Sequence, residues 1–139
     1  MPIDDTITNL HKDPPVILDG AYAERLHGLA SAAMDRVPDV ATRLLEEIER
    51  AEVLPSDEVP PSVVNIGSTV TFRDDSNTRL QTVTLVLPPD ADIGQQRVSV
   101  LTPIGAALIG LTEGASIAWK TRTGETRALT IIRVSSPGA

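Results

Sequence analysis

The stretch VLTPIGAALIG, residues 100–110, contains no charged residue, although charged residues make up 22% of the chain. One proline and two glycines interrupt an otherwise apolar run. The run that follows Pro103 predicts a short helix near residues 103–109. Such a segment can belong to the core, line a pocket or form a contact surface. The sequence on either side of it indicates which of these roles applies.

Most of the second half of the chain alternates apolar and polar residues with a period of two, which is typical of β-strands. Five strands are predicted: STVTFR (68–73), LQTVTLVL (80–87), RVSV (97–100), ASIAWK (115–120) and TRALTIIRV (126–134). DDSN, residues 74–77, predicts a turn between the first two. We therefore predict an antiparallel sheet with one short helix crossing a face, and an α+β class for the whole chain.

The first half carries two apolar series at helical spacing, which predict an antiparallel helical hairpin. The series are Tyr22, Leu26, Leu29 and Ala33, followed by Ala41, Leu44, Ile48 and Ala51. Asp19 is placed to cap the first helix, and Pro38 suits the first turn of the second. The connection MDRVPD, residues 34–39, is short enough to make the helices antiparallel. Each helix is predicted to span about 15 residues, roughly 22 Å.

A proline-rich segment separates the two halves. LPSDEVPPSVV, residues 54–64, contains three prolines and cannot continue a helix, which indicates a semi-rigid connector. Residues 1–60 carry thirteen acidic and five basic residues, whereas residues 61–139 carry six acidic and seven basic residues. We therefore predict a hairpin and linker over residues 1–60 and a sheet domain over residues 61–139.

Composition excludes several kinds of site and location. The chain has no cysteine, so it forms no disulfide and no thiolate metal site. Its formal net charge of −7 argues against direct nucleic-acid binding, since phosphate contacts need lysine and arginine. The polar residues 1–13 do not resemble a secretion signal, and no apolar run approaches the ~20 residues of a membrane span. We expect a cytoplasmic protein that does not contact the membrane.

Four segments carry a resemblance to a known family. They are GSTVTFRDD (67–75), TVTLVLPPDAD (82–92), VSVLTPIGAALIG (98–110) and GASIAWKTRTGET (114–126). In order and spacing they resemble the C-terminal domain of the Gre transcription factors, and the amino-terminal half resembles the Rnk proteins. One residue departs from the pattern: Ala115 occupies a position where the family often has aspartate. We expect this difference to affect a turn rather than a contact.

The resemblance implies an FKBP-like fold for residues 61–139 and a short coiled-coil hairpin for residues 19–53. It also implies a partner, bacterial RNA polymerase, with the globular domain docked at the rim of the secondary channel. The loop LTPIG then resembles the rim-docking loop, which makes Thr102, Pro103 and Ile104 the candidate docking residues. A loop stiffened by proline loses little entropy on binding. The alternative, from packing alone, is that Ile104 and its apolar neighbours lie under the sheet.

The predicted hairpin tip bears on whether the chain promotes transcript cleavage. Gre factors carry acidic residues at the tip that help hold a catalytic Mg²⁺ in the polymerase, and a hard cation needs oxygen ligands. This tip offers Asp35 and Asp39, but Arg36 lies between them and its charge opposes metal recruitment. The hairpin also looks shorter than in Gre factors. We therefore expect no catalytic residue, metal or cofactor, with the two carboxylates capping or flanking a helix amino terminus.

Three functions are compatible with these features, and we prefer the first. It is a monomeric, non-enzymatic regulator that occupies the secondary-channel entrance of RNA polymerase and competes with Gre factors. The second is a Gre-type factor that promotes transcript cleavage through Asp35 and Asp39. The third is a prolyl isomerase or chaperone. That activity needs several aromatic side chains around an apolar pocket, and the second half offers only Phe72 and Trp119.

Overall fold

A helical hairpin and a small sheet precede a five-stranded sheet in the computed structural model, which describes residues 14–121 and 123–137. The helices and strands are β1 (Ile17–Asp19), α1 (Gly20–Ala32), α2 (Pro38–Arg50), β2 (Glu52–Leu54), β3 (Thr69–Asp74), β4 (Arg79–Val86), β5 (Arg97–Ser99), α3 (Pro103–Leu108), β6 (Ser116–Lys120) and β7 (Thr126–Ser135). The predicted combination of helices and a sheet is confirmed. Residues 1–13, on which we excluded a secretion signal, lie outside the described part.

Both hairpin helices begin where the sequence predicted. Asp19 caps α1, because its Oδ1 accepts a hydrogen bond from the Ala21 N–H at 2.8 Å, and Pro38 is the first residue of α2. Leu26 and Leu44, from the two apolar series, are fully buried. Each helix has 13 residues, about 20 Å, which is slightly shorter than predicted. None of the helices in the described part is long and apolar enough to cross a membrane.

A small parallel sheet that the sequence did not indicate closes the base of the hairpin. β1 pairs with β2, with Ile17 opposite Glu52 and Asp19 opposite Leu54. Residues 52–54, predicted as the end of the hairpin and the start of the connector, are therefore a strand. Two strands of three residues are not stable by pairing alone. Burial of the neighbouring Val16 and Leu18 in the core holds them in place.

The main sheet has the strand order β5-β4-β3-β7-β6. β3 pairs antiparallel with β4 and β7, and β6 pairs antiparallel with β7. The prediction of a wholly antiparallel sheet is wrong at one edge, where β5 runs parallel to β4. Residues 87–96 form the connection and contain two 3-10 turns, Pro88–Asp90 and Ile93–Gln95. This connection carries the chain back far enough for Arg97 to pair with Thr84, which a tight hairpin turn cannot do.

One cluster of buried apolar side chains joins the hairpin to the main sheet. Leu26 and Leu44 of the hairpin belong to the same cluster as Val70, Leu85 and Leu129 of the sheet. The segment from α3 to the start of β6 lies between them and contributes Leu108, Ile109 and Leu111, each of which exposes 1% or less. The apolar stretch that opened the sequence analysis is therefore mainly core.

Gly110 is the point at which the two halves meet through their backbones. Its carbonyl oxygen accepts a hydrogen bond from the Ile17 N–H at 3.0 Å, and its own N–H donates to the Val64 carbonyl at 2.8 Å. Its φ of +80° lies in the left-handed region. A Cβ here would overlap Val16 Cγ1 and lie 2.9 Å from the Ile17 carbonyl oxygen. The position therefore requires glycine for both its conformation and its space.

Asp19 forms a second link between the halves. Its carboxylate is buried and accepts hydrogen bonds from Ser56 Oγ at 2.5 Å and Asn65 Nδ2 at 2.9 Å, in addition to the Ala21 N–H. Burial alone would raise the pKa of Asp19. The three hydrogen bonds stabilise the charged form and outweigh burial, so the pKa lies below its ordinary value.

Replacement of Gly110 tests the close backbone contact. Gly110→Ala should lower the free energy of unfolding by about 2–4 kcal/mol, since it adds both a left-handed alanine and an overlap. Gly28→Ala is the matched control, because nothing lies within 4 Å of a Cβ at this position in α1. The control should raise stability by about 0.5–1 kcal/mol. Denaturant unfolding measures both changes. A Gly110→Ala variant as stable as the wild type would contradict the close backbone contact at this position.

Acid unfolding tests the Asp19 network. Because the pKa of Asp19 is lower in the folded chain, its contribution is complete above the ordinary value of 3.8 and is lost as pH falls through the lowered pKa. Asp19→Asn should reduce the free energy of unfolding at pH 7 by about 1–3 kcal/mol. Below about pH 4 its stability should depend less on pH than that of the wild type.

The control for this experiment is Asp90→Asn, which changes an exposed aspartate. We expect it to keep both the stability and the acid slope of the wild type, as measured by denaturant unfolding between pH 2 and 7. Identical acid slopes in Asp19→Asn and the wild type would mean that the buried carboxylate does not contribute as described.

Candidate functional site

The predicted docking residues, Thr102, Pro103 and Ile104, are the N-cap and the first two residues of α3, and hydrogen bonds of Thr102 hold them in place. We call these three residues the docking loop. Thr102 is the N-cap of α3: its Oγ1 accepts from the Gly105 N–H at 3.1 Å and donates to the Ser99 carbonyl at 2.6 Å. Pro103 is the first helical residue, where its fixed φ suits the helix. Thr102, Pro103 and Ile104 are all half-buried. The loop thus presents part of each side chain to solvent in a fixed conformation.

Ile104 also packs inward. This agrees in part with the alternative that Ile104 lies under the sheet. It contacts the core and lines a cavity of about 130 Å³ together with Phe72 and Trp119. Small-molecule sites usually have volumes of roughly 300–1,000 Å³. The two aromatic residues of the second half therefore do share a cavity, but it is too small for a prolyl peptide segment.

Among the described residues, one carboxylate lines this small cavity, and it already has hydrogen-bond partners. Asp74 accepts hydrogen bonds from Ser76 Oγ at 2.6 Å and the Ser76 N–H at 3.0 Å, and forms an ion pair with Arg127 at 2.9 Å. The Ser76 hydrogen bonds, assisted by the Arg127 guanidinium, hold the pKa of Asp74 below its ordinary value. Asp74 therefore stabilises the turn after β3 and is not available as an acid or base.

The hairpin tip exposes its charged residues. Asp35 and Arg36 lie in the turn between the helices, and Asp39 lies in the first turn of α2. We predicted that these carboxylates cap or flank a helix amino terminus. Neither caps α2, whose N-cap is Val37 and has no side-chain cap, but Asp39 flanks its amino terminus. Asp39 still lies where the helix dipole favours a negative charge. Within residues 14–121 and 123–137, no three acidic or histidine side chains group around a possible metal position.

Asp39 of the tip and Pro103 of the docking loop line the same cleft, which we call the α2 cleft; Asp35 and Arg36 do not line it. Its volume is about 570 Å³. One wall consists of seven residues of α2 and its N-cap, between Val37 and Glu46, and includes Asp39. Among the described residues, the other side includes Pro103, Lys120 at the end of β6, and Thr121 and Gly124 of the connection between β6 and β7. Nothing in the sequence indicated that Asp39 and Pro103 would lie around one cavity.

Arg43 is a residue of the α2 cleft that the sequence reasoning missed. It is half-buried, and its Nε and Nη2 atoms are buried without a hydrogen-bond partner in the described part of the chain. Asp39, Arg43 and Glu46 are spaced by four and three residues, which places them on one face of α2. That spacing could have identified the face. Nothing in the sequence indicated that Lys120 would lie across from it.

Comparison with family models matches almost the whole described chain. The model described as "Transcription elongation factor, GreA/GreB, C-term" matches residues 59–136, which is more than half of the chain. The model described as "Rnk N-terminus" matches residues 14–54. The two matches meet in the proline-rich connector.

Individual relatives agree with these matches. The regulator of nucleoside diphosphate kinase of Escherichia coli K12 is 32% identical over 121 residues, which cover 87% of this chain and 89% of the relative. Transcription elongation factor GreA of Rhodospirillum rubrum is 33% identical, covering 81% and 77% respectively. A solved GreA/GreB factor from Nitrosomonas europaea superposes with a TM-score of 0.70 and 36% identity, covering 88% of this chain and 98% of that structure. The chain therefore belongs to the GreA/GreB transcription factor family, and its amino-terminal half places it with the Rnk proteins.

Proposed function

We propose that this chain is a non-catalytic regulator that binds bacterial RNA polymerase at the rim of its secondary channel and competes there with Gre factors. Its family membership supports the coarser statement that it is a Gre-related transcription regulator. The observation that carries the docking proposal is the loop of Thr102, Pro103 and Ile104, which is rigid and half-exposed.

The physical case for docking rests on preorganisation. The Thr102 hydrogen bonds and the fixed φ of Pro103 mean that the loop loses little conformational freedom when a partner covers it. Ile104 is anchored in the core by its inner side, so its exposed part is held in place. An uncharged, ordered surface of this kind is suited to form the desolvated centre of an interface.

The hairpin supports a role in occupancy rather than in cleavage. Helices of 13 residues extend only about 20 Å. Asp39 lines the same cleft as Pro103, so the start of α2 lies beside the docking loop. In this proposal a protein docked through that loop keeps its tip at the channel entrance. Arg36 beside Asp35 further disfavours recruitment of a cation.

The two parts of the chain have different tasks in this proposal. Residues 61–139 form an FKBP-like docking domain, and residues 1–60 form a short coiled-coil hairpin and linker that the docking domain stabilises. The shared cluster of buried side chains and the Gly110 contacts support that dependence. The protein acts as a monomer and contacts neither nucleic acid, membrane nor cofactor directly.

Substitution of Pro103 tests the docking loop. Pro103→Asp should weaken binding to bacterial core RNA polymerase by about tenfold or more, because it buries an unpaired charge in the interface. Aspartate is tolerated in the first turn of a helix, so the fold should survive. Ile93→Asp is the matched control, since Ile93 is 90% exposed and lies in the 3-10 turn Ile93–Gln95, outside the docking loop. A surface-based binding assay with the polymerase measures both affinities. Equal affinities for the two variants would mean that the docking site lies elsewhere.

Backtracked transcription complexes test the absence of cleavage activity. The wild-type protein should produce no new cleavage products at saturating Mg²⁺, while a Gre factor added to the same complexes should cleave. The double variant Asp35→Ala, Asp39→Ala should still compete with the Gre factor, since neither carboxylate belongs to the docking loop. Cleavage by the wild type that disappears in the double variant, with binding retained, would establish the Gre-type accessory function instead.

A further inference from the structure

Two buried nitrogen atoms of Arg43 have no hydrogen-bond partner among the described residues. Arg43 lies in the middle of α2, on the wall of the α2 cleft, and the two atoms are Nε and Nη2. Buried donors without acceptors destabilise a fold, and a guanidinium cannot lose its charge to avoid this. The side chain therefore does not stabilise the hairpin in the way that the neighbouring Leu44 does.

The two unpaired nitrogen atoms define the chemistry of a matching ligand. Nε–H and Nη2–H lie along one edge of the planar guanidinium, which suits the two oxygen atoms of a carboxylate in a bidentate pair. Lys120 supplies a second positive charge across the cleft. Asp39 and Glu46 balance these charges among the described lining residues, and no ion pair joins any of the four in the described part of the chain. Two positive groups of this kind suit a single carboxylate better than a polyphosphate.

The position of the cleft indicates where the carboxylate comes from. Pro103 belongs both to the docking loop and to the wall of the α2 cleft. A protein segment that covers the docking loop is therefore adjacent to Arg43. The volume of about 570 Å³ accommodates side chains of such a segment.

We propose that Arg43 binds an aspartate or glutamate side chain of RNA polymerase in the α2 cleft when the docking loop is engaged. On binding, the guanidinium turns toward the cleft, and Nε and Nη2 both donate to the incoming carboxylate. Arg43 is then a residue that determines specificity, because lysine has the charge but not the planar pair of donors. This inference rests on the proposed polymerase binding.

Three variants test it in a binding assay with bacterial core RNA polymerase. Arg43→Gln should weaken binding by about tenfold or more, because it leaves the polymerase carboxylate buried and unpaired. Arg43→Lys should lie between Arg43→Gln and the wild type, because it restores only the charge. Arg25→Gln removes the same charge from an exposed position on α1. It should bind within about twofold of the wild type, as expected of an exposed charge outside the interface.

Thermal unfolding of the free variants separates binding from folding. Since the buried nitrogen atoms of Arg43 are unpaired, Arg43→Gln should unfold at or above the temperature of the wild type. A lower unfolding temperature would give Arg43 a structural role and overturn the inference. Wild-type affinity in Arg43→Gln, or an equal loss in Arg25→Gln, would overturn it as well. If the wild type itself does not bind the polymerase, the proposed function fails first.

Discussion

The backbone contact at Gly110 fixes how the hairpin lies against the main sheet. This residue is hydrogen-bonded to Ile17 on one side and to Val64 on the other, and its missing Cβ leaves room for Val16. Because the neighbouring Ile109 and Leu111 are fully buried, the contact cannot shift without disturbing the core. The α2 cleft and the place of the start of α2 beside the docking loop follow from this one constraint.

The parts of the fold that depend on local sequence could be predicted. The cap at Asp19, the start of α2 at Pro38 and the period-two strands are each determined within a few residues. Two features could not be predicted, because they depend on contacts distant in sequence. The pairing of β1 with β2 is made stable by burial in the shared core, and the direction of β5 is set by the length and shape of the connection before it.

The two segments of the candidate site could be identified from the sequence, but their proximity in the fold could not. The resemblance to Gre factors identified Thr102–Ile104 as candidate docking residues, and the short connection between the two apolar series identified the tip. Their proximity arises only when α2 packs beside α3, about 60 residues later in the chain. Arg43 is harder still to identify, because an arginine beside an apolar helix face ordinarily extends into water. Only the three-dimensional surroundings show that two of its nitrogen atoms are buried and unpaired.

The distance between two spin labels would measure most directly whether the hairpin is fixed against the main sheet. The chain has no cysteine, so cysteines introduced at Glu49 of α2 and Ala118 of β6, both exposed, would give one labelled pair. If the Gly110 contact and the shared core hold α2 in place, the free protein should show a single narrow distance distribution. A broad or two-peaked distribution would mean that the hairpin moves relative to the sheet, and would contradict a preformed α2 cleft.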